Sequence, residues 1–102
     1  MNLNFKEQFR LPISERISQP SSEEVRSTRL AAGLTQSQAA MLVSPAQGKT
    51  AYRTWQHYEV KEGLPDHRAI PLATWELFLL LIDQHPCWTL VRKPPAAKES
   101  GV

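Results

Sequence analysis

The chain has 102 residues, of which 41% are hydrophobic, and its 12 Lys and Arg against 10 Asp and Glu leave a formal net charge of +2, enough chain for one domain with a modest core. That mild basicity permits nucleic-acid binding but not the role of a non-specific coating protein, which needs far more positive charge. The single cysteine, Cys87, excludes an intrachain disulfide framework, and the apolar run from Leu77 to Ile82 is too short to span a membrane; with no signal-peptide core in the first residues, a cytoplasmic, reducing location is expected.

Residues 1–20 carry Pro12 and Pro20 and no helical periodicity, yet Phe5, Phe9, Leu11, Ile13 and Ile17 are too apolar for a simple tail. They read as an extended or partly helical arm that docks on the domain or its partner; the alternative is a disordered leader. The first helix starts at Ser21, with Glu24 three residues on, the spacing of a capping box. Val25, Arg29 and Ala32 share one of its faces, and Gly33 closes it, because glycine tolerates the left-handed conformation.

Thr35 and Gln38 form a second such box. The helix that follows is about two turns long, with Ala39, Ala40 and Val43 inward, and its alanines let a neighbouring helix approach closely. Pro45 and Gly48 break the chain. A third helix runs from Lys49 or Thr50 to Glu59 and buries a stripe of Ala51, Trp55 and Tyr58. Arg53, Gln56 and His57 lie opposite, flanked by Tyr52. A short helix crossing another, with hydrogen-bonding groups on its outer face, suits insertion in a DNA major groove.

Residues 60–68 form a loop, and Pro71 fits the first turn of a fourth helix reaching about Gln84. Trp75, Phe78, Leu79 and Ile82 make one apolar stripe of that helix, and Leu77, Leu80 and Leu81 make another. A helix apolar nearly all round must be covered on nearly all sides, and a domain this small covers one. The second face therefore predicts a two-fold homodimer through Leu77, Leu80, Leu81 and Trp88, unless the arm covers it. Pro86 starts a short last element, Cys87 to Val91, helix or strand, and Lys93-Pro94-Pro95 opens a disordered tail. The expected fold is all-α: a small helical bundle over residues 21–92, with a dimerisation helix at 71–84, an arm at 1–20 and a tail at 93–102.

Three segments together, Arg29-Leu30-Ala31-Ala32-Gly33-Leu34-Thr35-Gln36, Ala39-Ala40, and Trp55-Gln56-His57-Tyr58-Glu59, resemble the helix-turn-helix regulators of the lambda-repressor/Xre class, over roughly Ser21 to Ile82. The likeness is to bacterial and mobile-element members whose recognition helix is followed by a segment like Pro71-Leu72-Ala73-Thr74-Trp75-Glu76-Leu77-Phe78. It implies a sequence-specific regulator, a repressor on a palindromic operator. It also implies a partly buried ion pair of Arg29 with Glu59, tying the first helix to the recognition helix. One departure stands out: Ser44 to Thr54 separate the second helix from Trp55, which is longer than the family's link and implies an enlarged turn. The expected DNA contacts are Gln36 on a phosphate beside the exposed amides of its helix, Lys49, Thr50 and Arg53 on phosphate or guanine, and Tyr52, Gln56 and His57 on bases or neighbouring phosphates.

An enzyme is excluded on inventory. His57, His67 and His85 are scattered, and His85 with Cys87 supplies two ligands where zinc needs more. No glycine-rich phosphate loop or acid pair is present, so no cofactor or metal is expected. The competing class is a protein-interaction module, such as the antitoxin half of a toxin pair or an adaptor without DNA binding, which the apolar arm and the enlarged turn keep open. Salt dependence separates the two, since counterion release gives a DNA binder a steep slope.

Overall fold

Local hydrogen bonds set most of the helix limits. The computed structural model describes residues 10–94, and within them the protein is all-helical, with five helices and no strand. They are α1 (Ile13–Arg16), α2 (Ser22–Ala31), α3 (Gln36–Val43), α4 (Gly48–Glu59) and α5 (Leu72–Leu81). Ser21 caps α2 by accepting the Glu24 N–H at 3.0 Å. Thr35 caps α3 with both halves of the box in place: Gln38 N–H donates to the Thr35 hydroxyl at 3.1 Å, and Thr35 N–H donates to Gln38 Oε1 at 2.9 Å. At the other end of α2, Gly33 takes φ 74°. Its N–H reaches the Leu30 carbonyl at 2.9 Å, and Leu34 N–H reaches Arg29 at 3.2 Å, so the last carbonyls are satisfied.

The core is aromatic and sits between α4 and α5. The Trp55 and Phe78 ring centroids lie 4.8 Å apart, and Trp75 stacks on Phe78 at 5.8 Å. All three rings are buried. α3 packs on both α4 and α5, and α2 packs on α4. Ala39 and Ala40 are fully buried in α3; side chains this small let the α3 backbone lie close to its neighbours. Val25 and Ile70 complete the inner cluster. Residues 10–20 lie along α5: Ile17 is buried, Arg16 bonds to Glu76, and Gln19 Nε2 donates to the Ile70 carbonyl at 2.8 Å. Phe5 and Phe9 of the arm, and residues 95–102 of the tail, lie outside the described residues.

Three limits differ from the sequence expectation. α4 starts at Gly48, one residue ahead of the earliest expected start at Lys49, so the link between α3 and α4 is Ser44–Gln47. Ser44 Oγ accepts the Ala46 N–H at 3.1 Å and tightens this link. The residues that lengthen the turn in the sequence are thus partly taken up by the helix itself. α5 ends at Leu81, three residues short of Gln84, because Asp83 adopts φ 58°. Asp83 N–H donates to Leu80 at 3.2 Å and Gln84 N–H to Leu79 at 2.8 Å, which is the helix closure usually made by glycine. Finally, Cys87 to Val91 is neither helix nor strand. The Cys87 and Trp88 amides donate to His85 Nδ1 at 3.1 and 3.2 Å, which bends the chain away from a regular ladder.

Candidate nucleic-acid interface

The rotation of α4 is fixed by what it buries. Ala51 and Trp55 are 2% and 1% exposed, and Tyr58 packs edge-on against Trp55 with centroids 5.8 Å apart. The opposite side then carries Lys49, Thr50 and Arg53, all exposed, with Tyr52, Gln56 and His57 half-buried on its flanks. No acidic side chain stands among these six. Gln56 Nε2 donates to the Tyr52 hydroxyl at 2.8 Å, one helical turn back. Thr54 returns its hydroxyl to the Thr50 carbonyl at 2.9 Å and so offers little outward.

Gln56 and His57 also line an open, mainly polar cleft of about 440 Å³ shared with Arg26, Gln36, Glu59, Val60 and Asp66. The cleft brings Gln36 from the start of α3 beside the outer flank of α4. It adds Arg26, an exposed cation of α2 that the sequence reading passed over. Its position three residues before Arg29, off the buried face, was the available signal.

Glu59 lines this cleft and is the hub of the helix-to-helix bonding. Arg29 binds it through two parallel bonds, Nε to Oε2 at 2.6 Å and Nη2 to Oε1 at 3.0 Å. The two side chains are only 10% and 5% exposed. Arg29 Nη1 donates to the Leu34 carbonyl at 2.8 Å. Glu59 also accepts from Trp55 Nε1 at 2.6 Å and from Gln36 Nε2 at 3.0 Å. Burial pushes the Glu59 carboxyl up, but the bonds from Arg29, Trp55 and Gln36 outweigh it and hold it below the ordinary carboxylate range. Gln36 therefore spends an amide N–H on the hub and keeps its carbonyl and its second N–H for anything bound in the cleft.

Two other carboxylates brace the scaffold. Glu62 accepts from Ser22 N–H at 2.6 Å and from Ser22 Oγ at 2.8 Å, and so seals the start of α2 from a distant loop. Those two bonds lower its pKa to about 2. Glu76 joins α5 to the arm: Arg16 Nη2 and Nε donate to it at 2.6 and 2.9 Å, and His85 Nε2 lies 3.1 Å away. The bond to Arg16 leads in holding its carboxyl low, against desolvation. With Nδ1 accepting two amides, His85 is the Nε2–H tautomer and donates to Glu76. In the sequence Glu76 enters only as part of the segment Pro71 to Phe78, in which it is the one charge. The signal for the network was that isolation, since a buried carboxylate must find donors.

On α5, Leu77 and Leu81 are each 43% exposed and Leu80 is half-buried. Trp88 lines a cavity of about 220 Å³ with Leu11, Glu15, Arg16 and Cys87, beside the arm. Among the described residues no cluster of His, Cys, Asp or Glu is placed to hold a metal ion, and no helix is long and apolar enough to cross a membrane. Neither protein-family models, nor curated proteins, nor solved structures contain a match for this chain.

These carboxylates make the fold acid-sensitive. Each titrates lower in the folded chain than its ordinary value of 4.5. The stability they contribute is complete above that value and is lost as pH falls through the folded pKa values, down to about 2 for Glu62. Melting temperature should therefore fall steadily as pH is lowered through this window, and Glu62→Gln should flatten the lower part of the fall. A melting temperature constant across the window would contradict it.

Proposed function

We propose that this protein is a sequence-specific DNA-binding transcriptional regulator, a repressor that grips a palindromic operator as a two-fold homodimer. The observation that carries the reading is the outer side of α4. It holds Lys49, Thr50, Tyr52, Arg53, Gln56 and His57 with no acid among them. The only carboxylate on that helix, Glu59, is held by Arg29. The polarity of that outer side suits a major groove, where base edges are told apart by hydrogen bonds. The likeness to lambda-repressor/Xre helix-turn-helix proteins supports the same reading, with α3 lying across the backbone and α4 in the groove.

Within that reading Arg53 is the base reader. It is exposed in the first half of α4, and its planar fork can bind guanine O6 and N7 together, worth about 1–3 kcal/mol of discrimination. In binding titrations on operator duplexes, Arg53→Ala should relax the preference at one base pair in each half-site, and Arg53→Lys should restore it only in part. An equal loss on every duplex would make Arg53 a backbone anchor instead. Lys49, at the start of the helix, faces a phosphate; Lys49→Ala should weaken all duplexes alike and flatten the salt slope by roughly one unit. A change confined to one base position would contradict that role. Wild-type binding without any salt slope would favour the alternative, a protein-interaction module such as an antitoxin or adaptor.

A further inference from the structure

Gln56 and Tyr52 stand one turn apart on the same flank of α4, and the Gln56 Nε2 to Tyr52 hydroxyl distance is 2.8 Å. Both are half-buried. Gln56 borders the polar cleft, and Tyr52 stands one turn back on α4, outside the cleft lining. We propose that Tyr52 is a positioning residue that sets the Gln56 amide to read an adenine, an inference that rests on the DNA-binding reading above.

The chemistry of a primary amide makes the arrangement specific. Two-bond recognition of adenine uses the carbonyl oxygen of glutamine, accepting from N6–H, and one N–H, donating to N7. Only the N–H cis to Oε1 lies on that edge. The other N–H points away and cannot take part. Tyr52 engages Nε2, and with the trans N–H donated to its hydroxyl the whole reading edge stays available. The Tyr52 hydroxyl accepts from Nε2 at 2.8 Å; once its own proton is donated to a phosphate of bound DNA it can only accept, and Nε2 is then held on the Tyr52 side with Oε1 on the other. A free glutamine can turn over and present the opposite pattern; one held at Nε2 presents one pattern only. The tyrosine proton, not used in this bond, remains to donate to a neighbouring phosphate or base acceptor.

The test uses the full chain, operator duplexes selected from a random pool, and a set in which each A·T pair of the half-site is exchanged for G·C. Gln56→Ala should erase the preference at one A·T position. Tyr52→Phe, which keeps the ring, should weaken the preference at that same position by about five-fold, the weight of one neutral hydrogen bond. It should leave the melting temperature unchanged, and in the Gln56→Ala background it should have no further effect on discrimination. In the free protein, nuclear magnetic resonance should show a protected Gln56 side-chain N–H that Tyr52→Phe exposes to exchange. If that proton is unprotected in wild type, or if Tyr52→Phe spares the Gln56-dependent preference or lowers affinity for every duplex equally, the positioning role is overturned while the DNA-binding reading stands. If wild type binds no duplex at all, both fall together, whatever the resonance shows.

Discussion

Arg29→Ala is expected to destabilise the protein by about 3–5 kcal/mol, the usual consequence of removing one partner from a buried ion pair. In a domain of this size each kcal/mol moves the melting temperature by roughly 4–8 °C, so the loss is easily read by calorimetry or circular dichroism. The size follows from geometry. Arg29 gives Glu59 two of its four side-chain bonds and holds the Leu34 carbonyl as well. Without it, Glu59 stays buried with only the neutral donors Trp55 and Gln36. Those two bonds hold part of the carboxylate's capacity but do not balance its charge. Glu59→Gln in the same chain should therefore recover a substantial part of the loss, because a neutral amide needs no counter-charge. An unchanged melting temperature in Arg29→Ala would show that water reaches Glu59 and that the pair is incidental. Since the pair joins α2 to α4, its loss should also loosen the angle at which the outer face of α4 is presented.

What was legible in the sequence was what local bonds decide. Thr35 with Gln38, Ser21, and Gly33 each act within four residues of themselves, and the ends of α2 and the start of α3 follow from them. The rotation of α4 was legible too, since Ala51 and Trp55 recur at helical spacing and only one side can be apolar. The pair of Tyr52 with Gln56 was within reach, being one turn apart, but its donor and acceptor sides needed coordinates. Elsewhere the deciding partner is distant or the local cue points the wrong way. The apolar pattern of α5 continues through Ile82, whereas the helix closes on Asp83, which takes the left-handed conformation less readily than glycine and so gives a weaker stop signal. Gly48 reads as a breaker and does take φ 62°, and α4 begins on it, so the break and the helix start coincide. The run Cys87 to Val91 has the composition of a strand, yet it finds no strand to pair with among the described residues, and its amides go to His85. Arg16 and Glu76 are 60 positions apart, a contact that periodicity cannot report.

Replacing Leu77 and Leu81 together by glutamate is expected to give a monomer and to lower affinity for a full palindromic operator by about 10²–10⁴-fold, the range in which linked binding exceeds the single contact. The two leucines are one turn apart on α5 and point the same way, away from the buried Trp75, Phe78 and Leu79. The described part of the arm reaches α5 at Glu76 and leaves both leucines 43% exposed. A second copy related by a two-fold axis would set leucine against leucine, so each substitution places two like charges in one apolar contact, and the cost appears twice. Because these side chains stand outside the core, the variant should still fold and keep its affinity for a half-site duplex, while its melting temperature should lose only the concentration-dependent part that dimerisation contributes. Light scattering on the wild type at micromolar concentration should give twice the chain mass, and on the variant one chain mass. The two recognition surfaces of the dimer would then stand roughly 34 Å apart, one turn of the duplex, and lengthening the operator by half a turn between half-sites should reproduce the variant's loss. A wild-type chain that scatters as a monomer, with the variant binding the full operator equally well, would place the operator contact in a single copy and leave the leucine face to another partner.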